Sequence, residues 1–138
     1  MAAEPSLPDG EDFFAPTGGQ GDWDSFWETR TLAGGEPEVR NRSCLLGWPD
    51  LIQGSFFREC ALTDRGHYLG SGPVDLSPED ARAERDAVED WQLLFQLDTV
   101  QDGEFELMFG DCGRLFFYIR REDLAAGRFD CCQLVLQC

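Results

Sequence analysis

Lysine is absent from this chain of 138 residues: its basic side chains are 11 arginines, set against 27 carboxylates for a formal net charge of −16. Without a side-chain amine there is no Schiff base, no lysine to cradle a phosphate and no lysine general base. Histidine is nearly absent too, with His67 alone. A Ser or Cys nucleophile needs a base held beside it, and no Gly-x-Ser-x-Gly stretch accompanies that one imidazole. The shortage of positive charge argues against nucleic acid and anionic membrane as partners, since both are bound through cationic side chains. No apolar run approaches membrane-spanning length. The opening MAAEPSLPDG has neither the basic nor the apolar region of a signal peptide. A cytoplasmic protein with reduced thiols is therefore expected, its six cysteines acting as small hydrophobes. Cys131 and Cys132 are adjacent and would point to opposite faces of a strand, and there is no C-x-x-C. Neither a metal nor another cofactor is expected.

What is present is acid and a greasy C-terminal half. A pI near 4.1 steers basic partners toward the chain over long range. Residues 1–42 read as an acidic, Gly/Pro-rich lead-in, poorly ordered or loosely docked, and residues 43–138 as the folded domain. Within the lead-in, Trp23, Phe26 and Trp27 would share one side of a helical patch. The only long runs dense enough in Leu, Phe, Val and Ile to be core strands are Trp91–Arg120 and the tail Asp130–Cys138.

In chain order, Gly47 and Pro49 force a bend around Trp48, with Asp50 and Gln53 at its mouth. Residues 55–63 alternate, Phe57 and Ala61 opposite Phe56, Arg58, Cys60 and Leu62, which predicts a strand, a turn at 64–66 and a short return over 67–69. Ser77-Pro78-Glu79-Asp80 opens a helix that runs to Asp90, mostly solvated, with Ala81 and Val88 on its apolar stripe. From Trp91 the period is two: Trp91, Leu93, Phe95 and Leu97 on one face, Gln92, Leu94, Gln96 and Asp98 on the other. Asp102-Gly103 signals a hairpin, and 110–113 a second turn. Residues 114–120 are apolar on both faces, the pattern of a central strand covered above and below. A short helix over 121–127 ends at Gly127, and a final strand sets Cys132, Leu134, Leu136 and Cys138 against Gln133, Val135 and Gln137. The fold class expected is α+β, a mixed or antiparallel sheet with short helices beside it.

The blocks LLGWPDLIQG, LLFQLD, GDCGRLFFYIRREDLAAGRFD and LVLQC resemble the YwqG-like family, bacterial proteins whose domain has no established function, over about residues 43–138. The resemblance implies an α+β fold and a cytoplasmic location. It also implies kinship with immunity proteins found beside secreted toxins, and it supplies no catalytic residues.

Candidate site residues are Trp48, Asp50, Gln53, Gln96, Asp98, Asp111 and Arg114. Asp111 and Arg114 bracket a turn and are expected to pair, or to bond nearby backbone. Gln92, Gln96, Gln133 and Gln137 would form one hydrogen-bonding row if their strands are neighbours, or face solvent or a covering helix. Asp98, Asp102, Glu104, Glu106 and Asp111 read as a solvated acidic turn, a divalent-cation site or a surface for a cationic partner. The function expected is a non-enzymatic acidic protein that binds a basic protein, a toxin-neutralising immunity protein being one form. The alternative is a small-molecule or divalent-metal domain with its pocket at the sheet end. Self-association through an uncovered strand is a third reading.

Overall fold

The computed structural model describes residues 43–70 and 73–138; the lead-in and its aromatic patch lie outside the described residues. A four-stranded antiparallel sheet organises them. In spatial order its strands are β1 (Cys44–Leu45), β2 (Trp91–Asp98), β5 (Arg114–Arg120) and β6 (Gln133–Gln137). A separate hairpin, β3 (Val100–Asp102) with β4 (Phe105–Leu107), interrupts the passage from β2 to β5. Four helices complete the α+β fold: α1 (Phe57–Asp64), α2 (Pro78–Arg85), α3 (Ala87–Asp90) and α4 (Arg121–Ala125). Among the described residues no helix is long and apolar enough to cross a membrane.

Most of the 55–63 stretch is helical, within Phe57–Asp64, not the strand its alternation suggested. Phe57, Cys60 and Ala61 stand at i, i+3 and i+4, and burying that stripe against the sheet outweighs a lone strand with no neighbour to pair with. The helix also has its own stop. Gly66 takes a left-handed φ of 86°, its N–H donates to Thr63 O and that of His67 to Leu62 O, which satisfies the last carbonyls. The expected hairpin return over 67–69 is therefore the chain leaving a helix.

Ser77 caps α2 through its hydroxyl, which accepts from the Asp80 N–H at 3.1 Å, and Pro78 fills the first turn as expected. The helix does not run unbroken to Asp90, because Asp86 ends α2 and begins α3. The solvated part is α2, with no buried residue, whereas α3 contributes the fully buried Ala87 to the core.

One bulge decides which side chains of the sheet are inside. Leu93 pairs with Tyr118 and Phe95 with Phe117, so Leu94 is an extra residue on β2. Before the bulge Trp91 and Leu93 face the core; after it Gln96 and Asp98 do. The expected separation of the Trp91–Leu97 apolar set from the polar set is thus corrected: the two share the buried face. On the central strand β5, Phe116 and Tyr118 lie on the same side and meet α1, with the Phe57 and Tyr118 ring centroids 5.1 Å apart. Arg120 lies over the Trp91 ring at 5.2 Å.

The opposite face is less covered than a two-sided apolar strand suggests. Leu115 and Phe117 are half-buried, while Leu134 and Leu136 of β6 are 57% and 48% exposed. The register of β6 puts Val135 beside Phe116 and Gln137 beside Arg114, so its amide edge, not its leucine edge, faces the core.

Candidate functional site

The segment between β1 and α1 crosses the buried face of the sheet as an irregular strap, and the candidate residues are sorted along it. Trp48 packs edge-on against Phe57, centroids 6.1 Å apart. It lines a shallow recess with Trp91, Gln92 and Arg121. Farther on, the Asp50 N–H donates to Gln96 Oε1 at 2.8 Å. The Ile52 and Gln53 N–H groups donate to Gln137 Oε1 at 2.7 and 3.0 Å, and Gln137 Nε2 donates to Gly54 O at 2.8 Å. Gln53 Nε2 reaches Cys138 O at 2.5 Å. A strap with no strand partner has its backbone groups satisfied by side-chain amides.

The glutamines therefore do not form a row. Their strands β2 and β6 are separated by β5, and each amide holds a different piece of chain. Gln133 Nε2 donates to Cys60 O at 3.1 Å, and Gln92 Oε1 accepts from Arg121 Nη1 at 2.8 Å. Gln96 and Gln137 are fully buried, which corrects the solvent-facing alternative for those two.

Arg114 does not pair with Asp111. Its Nη2 bonds Asp98 Oδ2 at 2.8 Å, and its Nη1 bonds Asp50 Oδ2 at 2.9 Å and also the Asp50 carbonyl. The Asp98 and Arg114 side chains are 5% and 9% exposed. Asp98 Oδ1 further accepts from the Thr99 N–H at 2.9 Å, and the Asp98 N–H donates to Ser43 Oγ at 3.1 Å. So Asp50, Gln53, Gln96, Asp98 and Arg114 gather at one end of the sheet, with Trp48 at the other end of the strap. Asp111 sits apart, exposed in the 110–113 turn. The gathered charges are committed to one another: the guanidinium is closed between two carboxylates, and the group clamps the strap.

A second ionic cluster ties α1 to α2. Arg65 bonds Glu79 at 3.1 Å and also Asp80, and His67 Nε2 lies 3.1 Å from Asp80 Oδ2. The Arg65 guanidinium first, and the Ser77 hydroxyl next, hold the Asp80 carboxyl well below the ordinary carboxylate range.

The hairpin is the other notable surface. Pairing of Asp102 with Phe105 leaves Gly103-Glu104 as a two-residue loop. Asp102, Glu104, Glu106 and Asp111 are exposed, and none is ion-paired among the described residues. They do not converge on an ion; among the described residues no cluster of His, Cys, Asp and Glu is arranged to hold a metal. Between them Phe105 is 59% and Met108 44% exposed. Sequence reasoning predicted the hairpin but did not single out these two side chains. The signal available was the flanking acid on both sides.

A family model described as a domain of unknown function, DUF1963, matches residues 10–138. The chain belongs to that family. No curated protein and no solved structure matches it. The family's domain takes in nearly the whole chain, so the clamp, the strap and the hairpin are all parts of it.

Proposed function

We propose that this DUF1963 protein is a non-enzymatic, cytoplasmic binding protein whose acidic surface docks a basic protein, as an immunity protein neutralises a toxin. The observation that carries the reading is the surface of the β3–β4 hairpin and the turn after it: Phe105 and Met108 are exposed apolar side chains, and Asp102, Glu104, Glu106 and Asp111, close by in sequence, are exposed carboxylates without ion-pair partners among the described residues. An apolar anchor desolvated on binding supplies affinity, and a surrounding field of one sign speeds encounter and selects the opposite sign. The net charge of −16 extends that field over the whole chain. The resemblance of residues 43–138 to the YwqG-like family, some of whose relatives are similar to immunity proteins, supports the same reading. So does the pairing of the Arg114 guanidinium with Asp50 and Asp98, which uses these charges to hold the strap.

The test is co-expression with candidate basic secreted proteins drawn from the gene neighbourhood, followed by affinity capture across a salt series. Capture at low salt that weakens as ionic strength rises, and that falls at least tenfold in the Phe105→Ala, Glu106→Arg double variant, is the expected result. Absence of a complex at low salt, or a complex indifferent to that variant, overturns the reading.

A further inference from the structure

The two edges of the four-stranded sheet differ. β1 has only 2 residues, too short to template a neighbour. β6, at the other edge, offers 5 residues in unbroken register with β5. Beyond that ladder its backbone groups meet no other backbone among the described residues. The usual guards of an edge are missing as well: from Cys131 to Cys138 there is no charged residue, no proline and no bulge. On the open face Leu134 and Leu136 stand exposed, beside their half-buried β5 partners Phe117 and Leu115. In a chain of net charge −16 this strand is a neutral, apolar strip. Its sequence also carries a symmetry: Cys132–Cys138 is CQLVLQC, the same read in either direction.

We infer that β6 pairs antiparallel with β6 of a second copy, about a two-fold axis at Val135, joining two four-stranded sheets into one. A two-fold interface must be complementary to itself, and this strand is. A strand from a different protein would require no such symmetry. In this register Val135 meets its own counterpart, and Leu134 lies opposite the second copy's Leu136. Directly opposed residues share a face. The four leucines, continued by Phe117 and Leu115 of each β5, therefore make one apolar band across the junction. On the core side Gln133 lies opposite the second copy's Gln137, and both amides are already bonded within their own chain. Cys132 comes opposite the second copy's Cys138. Opposed residues of an antiparallel pair have Cα atoms roughly 4.5 to 5.5 Å apart, within the span of a disulfide. Two chains of −16 repel each other, so salt should strengthen this association, the reverse of docking a basic protein on the hairpin. The interface shares no residue with the hairpin and does not rest on it.

Sedimentation equilibrium of the full chain, under reducing conditions, over a concentration series and at low and high salt, reads the association. Expected is a monomer–dimer equilibrium that salt favours and that Leu134→Lys abolishes. That position is exposed, so the fold accepts the change, and a lysine lowers the net negative charge, so it cannot act by adding repulsion. Oxidation with diamide in a Cys112→Ser, Cys131→Ser background reads the register, the two thiols passing their hydrogens to diamide as the interchain disulfide forms. Expected is a cross-linked dimer that disappears in Cys132→Ser and in Cys138→Ser taken singly, and returns when those two variants are mixed. A monomer at every concentration overturns the inference. So does a dimer that salt weakens or that Leu134→Lys leaves intact, and so do cross-links that persist in either single variant.

Discussion

Replacing Gln137 by Met tests the amide-pinned strap directly. The side chain is fully buried and makes three hydrogen bonds to the strap backbone, two as acceptor from Ile52 and Gln53 and one as donor to Gly54. Methionine keeps the volume and removes all three. At roughly 1 kcal/mol net per bond the loss is about 3 kcal/mol. Two effects reduce it: Met gains from burial, and Ile52 and Gln53 are exposed, so their freed N–H groups can turn to water. About 2 to 3 kcal/mol is expected, a fall in Tm of roughly 6 to 12 °C for a domain of this size. Gln133→Met is the control, because it loses one bond, to Cys60 O, and is expected to cost about 1 kcal/mol or less. Urea unfolding of both variants gives the difference, and hydrogen exchange gives its location. Amides 50–54 should lose protection in Gln137→Met with little change in the sheet. If the two variants unfold within about 0.5 kcal/mol of each other, or exchange rises uniformly, the strap is not held by that amide and the reasoning fails.

Gly113 tolerates no side chain: a Cβ there would lie 2.5 Å from the carbonyl oxygens of both Phe109 and Gln137. Gly113→Ala should therefore cost more than about 2 kcal/mol by thermal melting. Arg114→Met leaves the buried Asp98 carboxylate without its cation, with an expected loss of about 3 to 5 kcal/mol, whereas the double variant with Asp98→Leu should recover much of it. Burial first, then the charges of Glu59 and Asp64, push the Cys60 thiol up to about 12. The unfolded thiol ionises near 9.0, so the folded state binds more protons between those values and stability falls as pH rises through that window. Cys60→Ala should flatten the fall, and in the native protein Cys112, Cys131 and Cys138, all exposed, should alkylate well before Cys60. Asp80 is shifted the opposite way. Its depressed folded pKa makes the unfolded state bind more protons in acid, so the α1–α2 link contributes above about pH 4 and is lost as pH falls below it. Asp80→Asn should make acid unfolding less steep when followed by circular dichroism.

Local chemistry was enough to place the elements whose cause is local. Ser77-Pro78 begins a helix because a hydroxyl cap and a fixed φ act within one turn. The Asp102-Gly103 signal gave the hairpin, and the two-faced 114–120 run became the central strand because only a strand flanked on both sides can bury so much. Short-range pattern misled at 55–63, where the stretch satisfied both periods. Only the presence of a sheet to pack on selected the helix. The candidate site was legible as a set of residues but not as an arrangement. Three successive apolar residues, Leu93, Leu94 and Phe95, concealed the bulge that turns Gln96 and Asp98 inward. Arg114 found Asp98 across the β2–β5 register and Asp50 on the strap, instead of Asp111 three residues away, because strand pairing brings distant residues opposite one another at fixed spacing. Composition alone determined the acidity of this protein and the chemistries it lacks. Which acids are spent on holding the fold and which stand free on the hairpin was decided by tertiary structure, since a charge is committed only by what lies within a few ångströms of it.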